Sequence, residues 1–135
     1  MSDFTRVYNY IKEAGVFYLA TTDGDQPKIR PLGACQLDDG KFLFAIGDFK
    51  NVTRKVLANP KIEIVALGKN GHWLRMTGTA VYEDDPKYAE TALANSPGLR
   101  NIYNEETGHK LCFFSLKDAT AVDIPMMGDG ENLLD

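Results

Sequence analysis

Six side chains between Gln26 and Pro60 have types and spacings that could act together: Lys28 and Arg30, then Lys50, Asn51, Arg54 and Lys55. On an extended strand, Lys28, Arg30 and Leu32 point to one face, and Ile29, Pro31 and Gly33 to the other. Further along, Lys50 and Arg54 are four apart, as are Asn51 and Lys55, so each pair shares a helix face. A helix start adds unpaired backbone N–H groups and a partial positive charge. An arginine can grip two oxygens at once. Such a set suits the terminal oxygens of a phosphate. A basic face that merely shows its charges to water has the same composition, and residue types alone leave both readings open.

The elements that must carry these groups are legible. Phe4, Val7, Tyr8, Ile11 and Ala14 recur at helical spacing, with Ser2 or Asp3 as a cap and Gly15 as a stop. "VFYLATT" (16–22) suits a pleated surface. Asp-Gly in "DGDQP" supplies the positive φ of a hairpin. "KIRPLGACQL" reads as a second strand, whose Pro31 and Gly33 predict an edge, a bulge or close approach of a ligand. After "DDG" comes the strand "KFLFAIG". A short helix over 51–59 follows, with Asp48 or Asn51 near its start and Asn59-Pro60 closing it. "KIEIVALG" and "HWLRMTGTAVYE" are strands about a "KNG" turn. Asp85-Pro86 opens a helix to about Asn95, and a helical turn with a loop occupies "SPGLRNIYNEETGH". "KLCFFSL" and "TAVDI" are expected to form a closing hairpin about Lys117-Asp118. The expectation is a mainly β, α+β fold: six or seven antiparallel strands in a small barrel, with peripheral helices. One domain is expected over 1–135, with an acidic tail from Pro125 that is loose or weakly docked.

Composition narrows the chemistry. The chain has 135 residues, of which 44% are hydrophobic and 25% charged. That length buries roughly two-thirds of the unfolded surface, so no metal or disulfide is needed for folding. A net charge of −4 argues against broad binding to nucleic acid. Cys35 and Cys112 read as reduced core thiols. "MSDFTRVYNYIKEAG" lacks the basic start and apolar stretch of a secretory leader. No apolar run approaches the roughly 20 residues that span a bilayer. The expected setting is cytoplasmic, with no membrane partner. A metal site is not expected: His109 lies three residues before Cys112, and no second such pair completes four ligands. The strand aromatics Phe42, Phe44, Phe113 and Phe114 read as core, and the turn acids Asp38-Asp39 and Asp84-Asp85 as local backbone partners. No nucleophile motif or dinucleotide fingerprint is present.

The order of "DGDQPKIRPLGACQLDDGKFLFAIG", "DFKNVTRKVLANPKIEIVAL" and "GHWLRMTGTAVYEDDP" resembles the pyridoxamine 5′-phosphate oxidase-like, FMN-binding split-barrel family over about residues 4–124. The resemblance rests on the Arg-Pro pair in the second strand, the basic helix after the third, and the Asn-Pro before the fourth. It implies FMN at a homodimer interface. Arg30, Lys50 and Asn51, helped by Lys55, would hold the phosphate. Backbone around Pro31-Leu32 and Ala45-Ile46-Gly47 would line the isoalloxazine ring. Trp73 and Arg75 of a second subunit would close the site, although Trp73 reads equally as an interface or core aromatic and Arg75 as a surface strand charge.

The C-terminus departs from the true oxidase. "ATAVDIPMMGDGENLLD" carries no Trp or Arg, whereas that enzyme has a C-terminal Trp-and-Arg signature. The resemblance is closer to short members of the family, including nitroimidazole-resistance-type flavin reductases. The function it implies is an FMN-dependent oxidoreductase that passes electrons from NAD(P)H or another small donor to a small-molecule acceptor, with no residue required as general acid or base. A non-catalytic protein that binds or senses flavin, deazaflavin or haem needs the same pocket. A small barrel gripping single-stranded nucleic acid on Trp73 is disfavoured by the acidic balance.

Overall fold

In the computed structural model, which describes residues 3–134, α1 (Thr5–Ala14) leads into the hairpin β1 (Phe17–Asp23) and β2 (Gln26–Leu32). Next come β3 (Cys35–Asp38), β4 (Lys41–Gly47) and α2 (Asn51–Ala58). β5 (Lys61–Leu67), β6 (Trp73–Glu83) and α3 (Pro86–Asn95) follow, then a 3₁₀ turn (Pro97–Asn101), β7 (Leu111–Ile124) and the short β8 (Glu131–Asn132). All strand pairs are antiparallel. The expected mainly β barrel architecture is what forms.

The sheet runs β2-β1-β5-β6-β7-β4-β3, with β8 beside β7. β2 and β3 therefore lie on opposite edges, yet only Gly33 and Ala34 join them. Three Cα-to-Cα steps span at most about 11 Å, so the two edges must meet at that corner. The sheet is rolled into a barrel that stays unpaired between β2 and β3. Ala45 N–H donates to the Ala34 carbonyl at 3.2 Å and pins the corner. The single strand expected over "KIRPLGACQL" is thus two strands. Pro27 and Pro31 are tolerated because β2 is an edge, where a missing N–H leaves no ladder bond unmade.

The barrel interior is filled by alternate residues. Phe17, Leu19, Phe42, Phe44, Ile64, Leu74, Met76 and Phe114 are all within 1% of complete burial. The Phe44 and Phe114 rings stack at 5.4 Å. α1 closes one end with Val7 and Ile11. Its Asp3 carboxylate accepts from Thr5 N–H at 2.9 Å; Ser2, the other expected cap, lies outside the described residues.

Two expectations about the C-terminal part are corrected. Lys117-Asp118 is not a hairpin turn, because β7 runs unbroken from Leu111 to Ile124 along β6. The pairing steps from Thr77↔Thr120 to Thr79↔Lys117, which leaves one extra residue on β7. Asp118 takes φ 53° there. The turn-like residue makes a bulge that bends the strand without reversing it. The tail is not loose either. It returns as β8 against Val122 and Asp123, and Leu133 and Leu134 sink into the core at 6% and 4% exposure. Burial of two leucines outweighs the acidic, glycine-bearing character of the segment before them.

Candidate functional site

The inner face of β2 is where the cations go. Lys28 lies opposite Thr21, Arg30 opposite Leu19 and Leu32 opposite Phe17. Directly paired residues of an antiparallel ladder share a face, and Phe17, Leu19 and Thr21 are all buried. Lys28 and Arg30 thus project from the core-facing side of an edge strand, where the barrel is open and α2 stands opposite.

α2 forms because its buried positions, Thr53 and Val56, recur at helical spacing. The Thr53 hydroxyl donates to the Gly47 carbonyl at 2.7 Å and fixes the helix start to the end of β4. Pro60 prevents continuation, and Asn59 is already extended. Burying Thr53 and Val56 turns Asn51, Arg54 and Lys55 outward. They meet Lys28 and Arg30 across a cleft of about 540 Å³, with Val52 and Ala58 as its apolar lining.

The charges in this cleft do not balance. Lys28, Arg30, Arg54 and Lys55 face one carboxylate, Asp23 at the end of β1. Asp23 sits 2.9 Å from Lys55 Nζ and 3.3 Å from Lys28 Nζ. Those hydrogen bonds hold its carboxyl below the usual range. The guanidinium of Arg30 donates through Nη1 to the Leu19 carbonyl at 3.1 Å and to Thr21 Oγ1 at 2.8 Å. These bonds hold one arm of the fork, and Arg30 lines the cleft. Burial pulls the Arg30 pKa down, but a guanidinium stays charged. Arg54 rests on the amide oxygen of Asn51. The first turn of α2 has no acidic residue and no side-chain cap, so its N-terminal dipole adds to the same positive field.

Of the residues expected to bind the cofactor, Arg30, Asn51 and Lys55 come together here, and Lys28 and Arg54 join them. Lys50 does not line the cleft. It is the residue before α2, and its ammonium stands 5.5 Å over the Phe49 ring. Pro31 and Leu32 continue β2 beside the cleft. Ala45, Ile46 and Gly47 are buried in β4 and do not line it. Gly47 acts at one remove: it anchors Thr53, and a Cβ there would stand 2.6 Å from the Tyr103 hydroxyl. Trp73 and Arg75 lie on the outer face of β6, with Arg75 paired to Glu63 at 3.2 Å. Ile29 and Leu67 are also exposed, at 66% and 65%. Asp23 was missed by sequence reading. Its signal was there: an acid at the hairpin end, beside a strand carrying Lys28.

A second polar cluster forms where α1 crosses the sheet. The Tyr10 hydroxyl donates to Asp123 Oδ1 at 2.8 Å, and His72 Nδ1 lies 3.0 Å from Asp123 Oδ2. Desolvation, then the Asp123 hydrogen bond, pushes the Tyr10 pKa well above its ordinary value. Gly68 is glycine because any Cβ would strike the Tyr10 phenol. Among the described residues, no group of three or more His, Cys, Asp or Glu side chains could hold a metal ion. No helix among them is long and apolar enough to cross a membrane.

Residues 6–110 match the pyridoxamine 5′-phosphate oxidase family, and the chain belongs to it. A NimC/NimA family protein of Clostridium acetobutylicum is 32% identical, with a TM-score of 0.87 over 98% of this chain and 92% of that one. A pyridoxamine 5′-phosphate oxidase-related, FMN-binding protein of Nostoc punctiforme shares the fold at 15% identity and a TM-score of 0.65, over 99% and 91% of the two chains. A haem-binding protein of Mycobacterium smegmatis does so at 14% identity and 0.68, over 91% of this chain and 54% of that one. No curated protein matches the chain.

Proposed function

We propose that this protein binds FMN through the cleft between β2 and α2 and passes electrons through the flavin to a small-molecule acceptor. The observation that carries the reading is the charge excess: four cations and an uncapped helix start against a single carboxylate. A protein gains nothing by crowding like charges unless an anion completes the set. A phosphate monoester has the charge and the oxygen count to do so. Arg30 would grip it through the side of the guanidinium not held by β1. Lys28, Arg54, Lys55 and Asn51 would supply the remaining donors.

Bound flavin would supply the two-electron chemistry, and the chain would bind, orient and shield it. Haem suits this cleft less well, because iron needs an axial His, Cys, Met or Tyr and the lining residues include none.

A second subunit completes the proposal. The outer face of the sheet exposes Leu67 beside Trp73, with Arg75 further along β6 and Ile29 on β2 of the same face, and one open barrel covers a three-ring cofactor only in part. The free thiols of Cys35 and Cys112 suit a reducing, cytoplasmic setting.

The test begins with the purified protein, which should be yellow or become so with added FMN. Anaerobic NADH or NADPH should then bleach it, and an electron acceptor should restore the colour. Protein that takes up no FMN refutes the reading. Flavin that binds but is reduced by no donor supports a storage or sensing role instead. Sizing chromatography of the flavin-loaded protein should show twice the 15.0 kDa of one chain.

A further inference from the structure

Asp23, paired with two of the lysines that line the cleft, carries a charge that opposes the function proposed for it. It lies at the end of β1, opposite Gln26 in the hairpin, where Gly24 takes φ 63° and turns the chain. That turn places the carboxylate within 2.9 Å of Lys55 and 3.3 Å of Lys28. It therefore bridges the two elements that wall the cleft: Lys28 comes from β2 and Lys55 from α2. The two arginines are left without a carboxylate among the described residues, Arg30 on β1 and Arg54 on Asn51.

Carboxylate and phosphate oxygens are alike as acceptors for an ammonium group. A phosphate seated among these cations would lie beside Asp23, and the two anions would repel at short range. Without a ligand, the carboxylate satisfies the lysines and relieves the repulsion among four crowded cations.

We infer that Asp23 is a resident competitor for the phosphate subsite: it engages Lys28 and Lys55 when the cleft is empty, yields them to a phosphate-bearing ligand, and so weakens the affinity for that ligand. The inference rests on the phosphate reading of the cleft. It adds a division of labour among the cations. Arg30 and Arg54 are the standing anion receptors, and the two lysines are shared with Asp23. A cofactor held this way binds less tightly than the cations alone would allow, so the apoprotein remains stable and exchange of the flavin is easier.

The experiment is a fluorescence-quench titration of FMN and of riboflavin into wild type, Asp23→Asn and Asp25→Asn. Asp25 belongs to the same turn and pairs with neither lysine. Asp23→Asn keeps the shape and removes the charge. It should tighten FMN about tenfold and leave riboflavin, which lacks the phosphate, unchanged. Inorganic phosphate, titrated alone, should also bind this variant more tightly than wild type. The gain should shrink in high salt, as an interaction between partly exposed charges must. Asp25→Asn should bind like wild type.

Equal or weaker FMN binding by Asp23→Asn overturns the inference alone, and so does an equal gain in Asp25→Asn, which would reduce the effect to net charge. If wild type binds FMN no better than riboflavin, the phosphate reading itself fails and this inference falls with it. Thermal unfolding of each variant without ligand checks that the hairpin is intact. Should Asp23→Asn prove unfolded, Asp23→Ser serves the same comparison.

Discussion

The cleft at β2 and the cluster around Asp123 are both built from one carboxylate and its cationic or hydroxyl partners, yet they do opposite things. Around Asp123 the count closes. Tyr10 and His72 supply two donors to one carboxylate, and three distant elements are tied together. Around Asp23 it does not close, since four cations gather there and the one carboxylate pairs with only the two lysines. A balanced cluster holds a fold together, and on the proposed reading the unbalanced one takes up an anion. The difference lies in stoichiometry rather than residue type, because each cluster alone would pass for an ordinary surface ion pair worth little.

Mutations can break this contrast. The largest expected effect is on binding: Arg30→Ala should weaken FMN about a hundredfold, the scale of losing charge-assisted hydrogen bonds to a phosphate. Its thermal stability should change far less, and a titration beside a melting curve reads both. The reverse pattern is expected at the other cluster. Gly68→Ala forces the Tyr10 phenol off Asp123 and should cost about 2 kcal/mol of unfolding free energy, with FMN affinity in the folded fraction unchanged. Loss of affinity there would show the two regions to be coupled.

Tyr10→Phe is the milder form, at about 1.5 kcal/mol for a hydrogen bond to a charged group. Its pH dependence has a definite sign. The folded pKa of Tyr10 is raised, so its contribution is complete below the unfolded tyrosine value of about 10 and is lost as pH rises through the higher folded value. Urea melts of wild type and Tyr10→Phe should therefore differ by a constant amount at neutral pH and converge in strong alkali. The smallest effect belongs to Arg75→Ala, whose exposed pair with Glu63 should be worth less than about 0.5 kcal/mol in chemical denaturation. A much larger loss that grows with protein concentration would identify Arg75 as an interface residue.

The fold was more legible than the site. Alternation and turn chemistry placed α2, α3 and most strands to within a residue or two, because burial of Thr53, Val56 or Tyr88 follows directly from local spacing. Asp85 caps α3 by accepting from Lys87 N–H, as the Asp-Pro pair implied. The misses share a cause. Asp118 has the residue type of a turn, but the ladder to β6 on both sides of it is long enough to absorb one extra residue as a bulge. Gly33 has the residue type of a kink, yet the two halves of that stretch pair with different strands. In both cases the outcome was decided by partners distant in sequence.

The cations followed the same rule. That Lys28 and Arg30 share a face, and that Asn51 and Lys55 share another, is a matter of strand and helix period, and the sequence by itself determined it. That these two faces meet required the sheet to roll until β2 and β3 joined at Gly33-Ala34, and required α2 to dock by Thr53 on Gly47. Lys50 shows the converse: one residue from Asn51, it turns away onto Phe49. Period is local and is written in the spacing of residues. Convergence depends on which surfaces are buried against each other, and only the tertiary structure decides that.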